Sequence, residues 1–337
     1  KDFLSDESRM MNEELKKRLR SRRICVVIPT YNNGGTIKAV VEGVLRYCDD
    51  VIVVADGCTD NTLGILHAIE NITVVAYVRN RGKGHALKTG FRTALKQGFS
   101  YAITLDGDGQ HYPEDIPLFL QANLQHPHAL IIGSRQLEGV DRSKGSSFAN
   151  RFSNFWFYVQ TGRALPDTQT GYRLYPLHRL HGLSLLTSRY EAELELLVFA
   201  SWHGVGIVPI PVQVYYPPRD ERVSHFRPGM DFARISVLNT VLCFLAVVYG
   251  LPLRLWRAFT TFFRTAYSLL FFLFFTLVVF TPFVWIYTRC GKMTEKKRLR
   301  LHQLIYHASR FVMLRHGIPG TKYRFEVAEG IDFDKPR

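Results

Sequence analysis

The stretch YAITLDGDGQHYPEDIPLFLQANLQ, residues 101–125, contains a complete strand, loop and helix. Residues 101–105 form a short run of apolar and β-favouring residues, which predicts a strand covered on both faces. Residues 113–125 have apolar positions at helical spacing and begin with proline, which suits the first turn of a helix. The loop between them alternates two aspartates with two glycines. Two carboxylates at the end of a buried strand need something that balances their charge.

The same strand–helix unit is repeated along the N-terminal half of the chain. The predicted strands are residues 24–28, 51–54, 73–77, 101–105 and 129–132, and the predicted helices are residues 12–23, 36–47, 60–69, 83–97 and 113–125. This alternation predicts an α/β fold with a parallel, doubly wound sheet and helices on both faces. Further on, we expect a loop over residues 136–147, helices over 148–158 and 183–203, and an extended segment over 207–215.

Polar, glycine-containing loops follow four of the predicted strands, at residues 32–35, 56–60, 80–84 and 106–110. Sheets of this kind bind their ligands outside the carboxyl ends of the strands. We therefore expect the four loops to meet at one rim and to form a single ligand site.

Asp106 and Asp108 are two residues apart, so their charges would repel each other unless a cation neutralised them. Mg²⁺ or Mn²⁺ prefers oxygen ligands, binds one or two carboxylates and leaves positions for phosphate oxygens. Gln110 offers another oxygen without adding charge, and Gly107 and Gly109 let the backbone bend. The alternative is a solvated turn, in which aspartate and glycine are common.

The composition favours anionic partners. The 337 residues are 47% hydrophobic, enough for a sizeable core, and carry a formal net charge of +14. Such a charge suits nucleic acid, anionic lipid or phosphorylated substrates, but the arginines form no recognisable nucleic-acid motif, so no nucleic acid is expected. The five cysteines lack close paired spacing, which predicts neither a zinc site nor a disulfide framework. The charged N-terminal segment does not resemble a secretory signal.

Two uncharged apolar stretches, residues 235–253 and 266–288, are each about long enough to cross a membrane as a helix. Basic residues flank the pair, which predicts a hairpin with both ends in the cytoplasm. Residues 254–264 carry three arginines among aromatic residues and suit an interfacial helix. A non-crossing arrangement and buried helices of a soluble core are the alternatives, and we favour crossing. The expected location is the cytoplasmic (inner) membrane, with the α/β domain facing the cytoplasm.

Six segments occur in an order and spacing that are typical of one family. They are VVIPTYNN (26–33), VVADGCTD (53–60), NRGKGHALKTGF (80–91), LDGDGQHYPED (105–115), GSR (133–135) and DTQTGYRLY (167–175). Together they resemble a family 2 glycosyltransferase, most of all the dolichyl- and polyprenyl-phosphate sugar transferases. The resemblance implies the GT-A fold, a Rossmann-like doubly wound mixed sheet, here followed by two membrane-associated helices.

The resemblance implies a nucleotide-diphosphate sugar as donor and Mg²⁺ or Mn²⁺ as the metal that bridges its diphosphate. The donor-binding residues would be Pro29, Tyr31, Asp56, Lys83 and Asp106, with Asp56 on the base or ribose. The metal ligands would be Asp106, Asp108 and Gln110. Asn33 and Ala55 depart from the family's usual pattern, so the resemblance does not specify a uridine or a guanosine donor.

The resemblance also places basic residues on the acceptor side, where arginine suits phosphate through its fork of donors. The acceptor phosphate would meet Arg135, Arg151, Arg222 and Ser224. The residues expected to serve catalysis are Asp106, Asp108, Arg135, Arg173 and Asp167. His225 stands where the family more often has lysine. A predicted helix carries Glu191, Glu193 and Glu195, and one of these carboxylates is expected to face the site. The alternative for these charges is a solvated surface.

The leading interpretation is a membrane-bound, metal-dependent glycosyltransferase that acts with inversion on a polyprenyl phosphate or related lipid. A phosphate acceptor is already ionised at neutral pH and needs no strong base, whereas a hydroxyl acceptor does. The acidic pair that serves hydroxyl acceptors in the family is not evident. A lipid or glycan hydroxyl acceptor, and a membrane-anchored nucleotide-binding module without activity, stay open. A homo-oligomer is compatible with the sequence.

The predicted organisation has four segments. They are a charged segment at 1–23, the glycosyltransferase domain at 24–225, the membrane helices at 226–290 and a basic tail at 291–337. The tail resembles the lead-in to a lysophosphatidate-type acyltransferase domain, whose His-and-Asp motif is not in the sequence, so no acyltransferase activity is expected. A longer natural chain is a further hypothesis.

Overall fold

A computed structural model of the chain describes residues 6–135, 144–180, 186–215, 228–292 and 294–317. The chain divides into two compact units, Lys1–Pro252 and Leu253–Arg337. The first unit contains the sheet and the candidate site, and the second is helical wherever regular structure is described.

The first unit is built on a mixed seven-stranded sheet with the order β3-β2-β1-β4-β6-β5-β7. The strands are β1 (Ile24–Thr30), β2 (Val51–Asp56), β3 (Ile72–Tyr77), β4 (Tyr101–Thr104), β5 (Leu130–Arg135), β6 (Arg173–Pro176) and β7 (Ile207–Val212). All neighbouring pairs are parallel except those of β6, which runs antiparallel to β4 and β5. The first five strands confirm the predicted ones, whereas β6 was not predicted as a strand.

The helices of this unit lie before, between and after its strands. They are α1 (Asp6–Ser21), α2 (Ile37–Leu45), α3 (Thr62–His67), α4 (Lys83–Lys96), α5 (Ile116–Gln125), α6 (Lys144–Thr161), α7 (Leu177–Leu180), α8 (Glu191–Trp202) and α9 (Pro228–Leu245). A single 3₁₀ turn, Pro113–Asp115, leads into α5. The longer helix predicted over 183–203 is shorter in the structure, because α8 begins only at Glu191.

The central strands β1, β2 and β4 are buried at every position, as their unbroken apolar sequences predict. α4 packs closely over β1 and β2, since a Cβ at Gly90 would lie 2.3 Å from Val27 Cγ1. This tight packing fixes the first residue of α4, Lys83, at the carboxyl end of the sheet.

The C-terminal helices are α10 (Leu251–Phe274), α11 (Thr281–Arg289) and α12 (Glu295–His316). Within the second unit, the rings of Phe271 and His316 stack with centroids 3.9 Å apart, and Tyr267 Oη lies 3.2 Å from His316 Nδ1. These contacts join α10 to the end of α12.

The chain is helical without interruption from Ala233 to Arg289, and this segment is long and apolar enough to cross a membrane. It contains two π-helical stretches, Ala246–Gly250 and Phe275–Phe280. Each ends two residues before a proline, Pro252 or Pro282. Proline lacks an amide hydrogen and clashes with the carbonyl four residues earlier. A π turn is one way in which a helix continues around it.

The two apolar stretches are therefore helical, as predicted, but the described chain has no turn between them. Residues 254–264, expected as a separate interfacial connection, lie inside α10. Their arginines and aromatic residues have no glycine or proline among them, so nothing in this sequence ends a helix. The expected hairpin is not formed within this helical segment.

Candidate functional site

The polar loops predicted to share one rim are joined by hydrogen bonds at the carboxyl end of the sheet. The Thr59 amide, after β2, donates to Asn32 Oδ1, after β1, at 2.8 Å. The Thr36 hydroxyl donates to the Gly107 carbonyl, after β4, at 2.7 Å. These bonds hold three loops against one another around a common site.

Asp56, the last residue of β2, holds the loop that leads to α4. Its two carboxylate oxygens accept hydrogen bonds from the backbone amides of Arg81 and Gly82, at 2.8 and 2.7 Å. Asp56 is only 3% exposed. Gly82 has a φ of +97°, which glycine adopts readily and other residues do not. Asp56 therefore shapes the backbone directly before Lys83, and its expected contact with a base or ribose stays a prediction.

Lys83 lies between two carboxylates from different parts of the chain. Its Nζ is 2.7 Å from Asp106 Oδ1 and 3.0 Å from Asp106 Oδ2. On its other side Nζ is 2.9 Å from Glu193 Oε2, in the first turn of α8. Burial would lower the pKa of Lys83, but the two carboxylates outweigh it and raise the pKa well above its usual range. Lys83 is thus a permanent cation at the centre of the site.

The pKa values of Asp106 and Asp108 are shifted in opposite directions. Burial would raise the pKa of Asp106, but the Lys83 ammonium outweighs it and holds that pKa below its usual range. Burial and the charge of Asp106 together raise the pKa of Asp108 from 3.8 to about 6. Asp108 is therefore a carboxylate with too little positive charge around it.

The Asp106–Asp108 pair fits a divalent cation, because such an ion supplies the missing positive charge through oxygen ligands. In the parts of the chain that the structure describes, no cluster of three or more His, Cys, Asp or Glu side chains could hold a metal ion. A site with two carboxylates leaves its other coordination positions to water and to oxygens of an anionic ligand, as Mg²⁺ sites usually do. The residues thus suit an ion that is shared with a bound phosphate compound.

Gln110 and His111 extend the rim beyond the two aspartates. The backbone amide of Gln110 donates to Asp108 Oδ1 at 3.0 Å, and the backbone carbonyl of Gln110 accepts from the backbone amide of Tyr215 at 2.8 Å. His111 Nε2 lies 3.9 Å from Asp106 Oδ2. Burial lowers the pKa of His111 to about 4, so the ring is neutral near pH 7. His111 was not predicted as a site residue, although it lies in the quoted LDGDGQHYPED segment.

Arg135 and Asp167 form a two-pronged ion pair. Arg135 Nε donates to Asp167 Oδ2 at 2.5 Å, and Nη2 donates to Asp167 Oδ1 at 2.9 Å. The Asp167 side chain is 1% exposed and that of Arg135 is 16% exposed. Arg135, expected at the acceptor phosphate and in catalysis, and Asp167, expected in catalysis, are therefore brought together, with Asp167 orienting the guanidinium. The roles expected for them stay predictions.

Arg173, which was expected to serve catalysis, is enclosed by the protein, and the expected role stays a prediction. It is 0% exposed, and its guanidinium donates to the carbonyls of Thr170, Thr168 and Glu193 at 2.7–2.9 Å and to Tyr175 Oη at 3.2 Å. Because its donors are used by the protein and it is closed to solvent, it holds the segment before β6 against α8. Its charge also helps to lower the pKa of Asp106.

The three glutamates of α8 have separate environments. Glu193 pairs with Lys83. Glu195, 0% exposed, accepts from the Leu186 and Thr187 amides at 2.5 and 2.9 Å and from the Thr187 hydroxyl at 2.5 Å. Glu191 is half-buried in the first turn of the helix. The carboxylate that reaches the site is therefore Glu193.

Five other residues were expected to contact the donor or the acceptor. Pro29 is buried near the end of β1 and Tyr31 is half-buried in the loop that follows. Arg151 is exposed on α6. Arg222 and Ser224, like His225, lie outside the described residues. The loop predicted over 136–147 is described only from residue 144, where α6 has already begun.

Comparison with known proteins places this site in a family. Residues 25–175 match the sequence profile of Glycosyl transferase family 2. The chain is 30% identical over 209 residues to the polyprenol monophosphomannose synthase of Mycolicibacterium smegmatis, an alignment that covers 57% of this chain and 77% of the relative. It is 29% identical over 216 residues to the UDP-N-acetylglucosamine–dolichyl-phosphate N-acetylglucosaminyltransferase of Methanococcus voltae, with 57% and 86% covered.

The fold is also similar to solved structures. One is the glucosyl-3-phosphoglycerate synthase of Mycobacterium tuberculosis in complex with Mn²⁺, UDP-glucose and phosphoglyceric acid. The TM-score is 0.53 at 20% sequence identity, and the match covers 69% of this chain and 83% of the solved one. At this identity the likeness concerns the fold, and it confirms the expected GT-A architecture.

Proposed function

This chain belongs to glycosyl transferase family 2 and is a glycosyltransferase, and from this premise we propose that it transfers a sugar from a nucleotide-diphosphate sugar to a polyprenyl phosphate or related lipid. The observation that carries the proposal is the Asp106–Asp108 pair beside the Lys83 ammonium, at the carboxyl end of the sheet. The names of the two relatives, a polyprenol monophosphomannose synthase and a dolichyl-phosphate N-acetylglucosaminyltransferase, support the acceptor class.

Asp106, Asp108 and Gln110 would hold Mg²⁺ or Mn²⁺, which supplies positive charge to the departing diphosphate. Lys83 would add a second cation to the same group, because its Nζ already lies against Asp106. Pro29, Tyr31 and Asp56 would form the nucleotide side of the site. The solved protein of the same fold was crystallised with Mn²⁺ and UDP-glucose, which supports a divalent cation in this proposal.

In the proposed reaction, an oxygen of the lipid phosphate forms a bond to the anomeric carbon as the bond from that carbon to the diphosphate breaks. The nucleoside diphosphate leaves with the electron pair, and an in-line displacement inverts the anomeric configuration. A phosphate monoester has a second pKa near 6 and is largely ionised at pH 7, so no residue has to remove a proton from it. The residues proposed to orient the acceptor phosphate are Arg135, Arg151, Arg222 and Ser224.

A membrane location fits a lipid acceptor. The apolar helix Ala233–Arg289 has the length and composition of a membrane span, and basic residues, which favour the cytoplasmic face of a membrane, lie on the side of it that leads from the sheet domain. We therefore propose that the protein works at the cytoplasmic membrane with its sheet domain in the cytoplasm.

A direct test uses the full chain in detergent with radiolabelled UDP- and GDP-sugars, Mn²⁺ and three acceptors: polyprenyl phosphate, polyprenol and diacylglycerol. We expect label in polyprenyl phosphate alone, and its loss in excess chelator or in Asp108→Asn. The matched control is Glu114→Gln, which removes the same charge from an exposed position in the turn before α5. Label in polyprenol or diacylglycerol would favour the hydroxyl-acceptor alternative, and turnover that persists without metal would contradict the metal role.

A further inference from the structure

We propose that Glu193 is a positioning residue, which keeps the Lys83 ammonium in the donor site when a divalent cation takes over Asp106. The ammonium and the metal ion can then act on the same diphosphate. This inference rests on the proposed function, because it requires a cation at Asp106 and Asp108.

The first support is the geometry of Lys83. Both oxygens of Asp106 lie within 3.0 Å of Nζ, and Glu193 Oε2 lies 2.9 Å from it on another element. A metal ion bound by Asp106 needs at least one of the same oxygens. Lys83 and the metal ion therefore compete for Asp106, and Lys83 must loosen its hold on Asp106 when the ion binds.

The second support is the enclosure of the ammonium. The side chains of Lys83 and Glu193 are 16% and 9% exposed. If Glu193 were absent, metal binding at Asp106 would leave an enclosed ammonium without a carboxylate partner, which would be strongly unfavourable. Glu193 removes this difficulty, because Lys83 keeps one carboxylate partner after it releases the other.

The third support is an unused acceptor. Glu193 Oε1 is buried and has no hydrogen-bond partner within the described part of the chain. Buried polar atoms are rarely left without a partner. An ammonium released from Asp106 could be bound by both oxygens of Glu193, so the carboxylate has the capacity for the second state.

The fourth support is the rigidity of the two elements. Lys83 is the first residue of α4 and Glu193 lies in the first turn of α8. A Cβ at Gly84 would lie 2.3 Å from Ala192 Cβ, so the two backbones are in close contact beside the ion pair. Arg173 Nη1 also donates to the Glu193 carbonyl at 2.9 Å. The ammonium is thus confined to a short path between Asp106 and Glu193.

The test measures Mn²⁺ binding to the full chain in detergent, by the electron paramagnetic resonance signal of free Mn²⁺, without nucleotide. We expect Glu193→Gln to weaken binding about tenfold, because Asp106 is then, among the described residues, the only carboxylate in direct contact with Lys83. Lys83→Met should strengthen binding, since the competitor is gone. In the Lys83→Met background, Glu193→Gln should change binding by less than about twofold.

Two further variants test whether the effect on Mn²⁺ binding is specific to the carboxylate of Glu193. Glu191→Gln removes the same charge from the same turn of α8 and should leave Mn²⁺ binding unchanged. Glu193→Asp keeps the carboxylate on a shorter side chain, should give an intermediate affinity, and serves if the glutamine variant does not fold. Equal weakening by Glu193→Gln in both backgrounds, or no weakening in the Lys83 background, would overturn the inference.

The proposed function fails in a different way. If the unaltered chain bound no Mn²⁺, either alone or with UDP or GDP, the metal role itself would be lost. If the unaltered chain bound Mn²⁺ normally and Glu193→Gln did so equally well, only the positioning role of Glu193 would be lost.

Discussion

Gly171 lies directly against Asp106: a Cβ at Gly171 would be 2.6 Å from Asp106 Oδ2, and 2.8 Å from Lys83 Nζ. Both atoms are at the ends of side chains, so an added methyl group would displace the ion pair rather than the backbone. We expect Gly171→Ala to fold with little loss of stability and to lose sugar transfer by about tenfold or more.

Transfer rate and thermal unfolding of Gly171→Ala test this expectation. The matched control is Gly206→Ala, whose new Cβ would make an ordinary 3.6 Å contact with Ala129. An unchanged transfer rate in the folded Gly171→Ala protein would show that the position of the ion pair does not matter for turnover.

Asp108→Asn should stabilise the metal-free protein at neutral pH. The folded-state pKa of Asp108 is raised from 3.8 to about 6, so folding disfavours its ionised form. The resulting destabilisation is absent below pH 3.8, grows between pH 4 and 6, and is complete above pH 6. In chelator at pH 7.5, the variant should gain on the order of 2 kcal/mol in unfolding free energy, and close to nothing at pH 4.

Urea unfolding at the two pH values measures this gain. With Mn²⁺ added, the unaltered protein should become more stable than Asp108→Asn, because the ion stabilises only a protein that binds it. Equal stability of the two proteins in chelator at pH 7.5 would mean that the Asp108 charge is already balanced without a metal ion.

The Arg135–Asp167 pair should contribute to stability as well as to the site. Asp167 is 1% exposed and accepts both prongs of the guanidinium. Removing the arginine leaves a buried carboxylate without its partner, so Arg135→Met should cost about 3 kcal/mol. Arg135→Lys keeps the positive charge but loses the two parallel N–H donors, and should lower the free energy of unfolding by about 1 kcal/mol.

A double-mutant cycle measures this coupling by urea unfolding. In an Asp167→Asn background the cost of Arg135→Met should fall by at least about 1 kcal/mol. Strict additivity of the two substitutions would contradict a stabilising pair.

Arg173→Lys should destabilise the fold without changing acceptor recognition. The guanidinium serves three backbone carbonyls and one hydroxyl in different directions, which a single ammonium cannot reach together. We expect a loss of about 3 kcal/mol in unfolding free energy, and an unchanged KM for lipid phosphate in the folded protein. Arg92→Lys, at an exposed position of α4, is the control. A raised KM with unchanged stability would contradict the structural role of Arg173.

Three of the five strands that the sequence predicts share one property. β1, β2 and β4 are unbroken apolar or β-favouring runs and are buried throughout, so their composition alone indicates a covered sheet. β6 has four residues and begins with Arg173. The guanidinium of Arg173 is buried because backbone carbonyls elsewhere in the fold accept its hydrogen bonds. The sequence of β6 shows no apolar run, so this strand was not predicted.

The sequence predicts the two carboxylates of the candidate site but not the side chains that contact them. The alternation of Asp106 and Asp108 with glycine is visible in the sequence, because local spacing produces it. Which of the glutamates of α8 meets Lys83 depends on the packing of α4 against α8, and no local pattern records that contact. The continuous helix through Pro252 was missed for a related reason, since the π turn before it has no distinct sequence pattern.

The position of β6 between β4 and β5 has a consequence for the order of folding. During synthesis β5 leaves the ribosome before both of its sheet neighbours, β6 and β7. The nascent chain can assemble β3, β2, β1 and β4, but β5 must wait, with both of its edges unpaired, until about forty later residues have emerged. An open strand edge is prone to pair with other chains, so we expect the interval between the synthesis of β5 and that of β6 to favour misassembly.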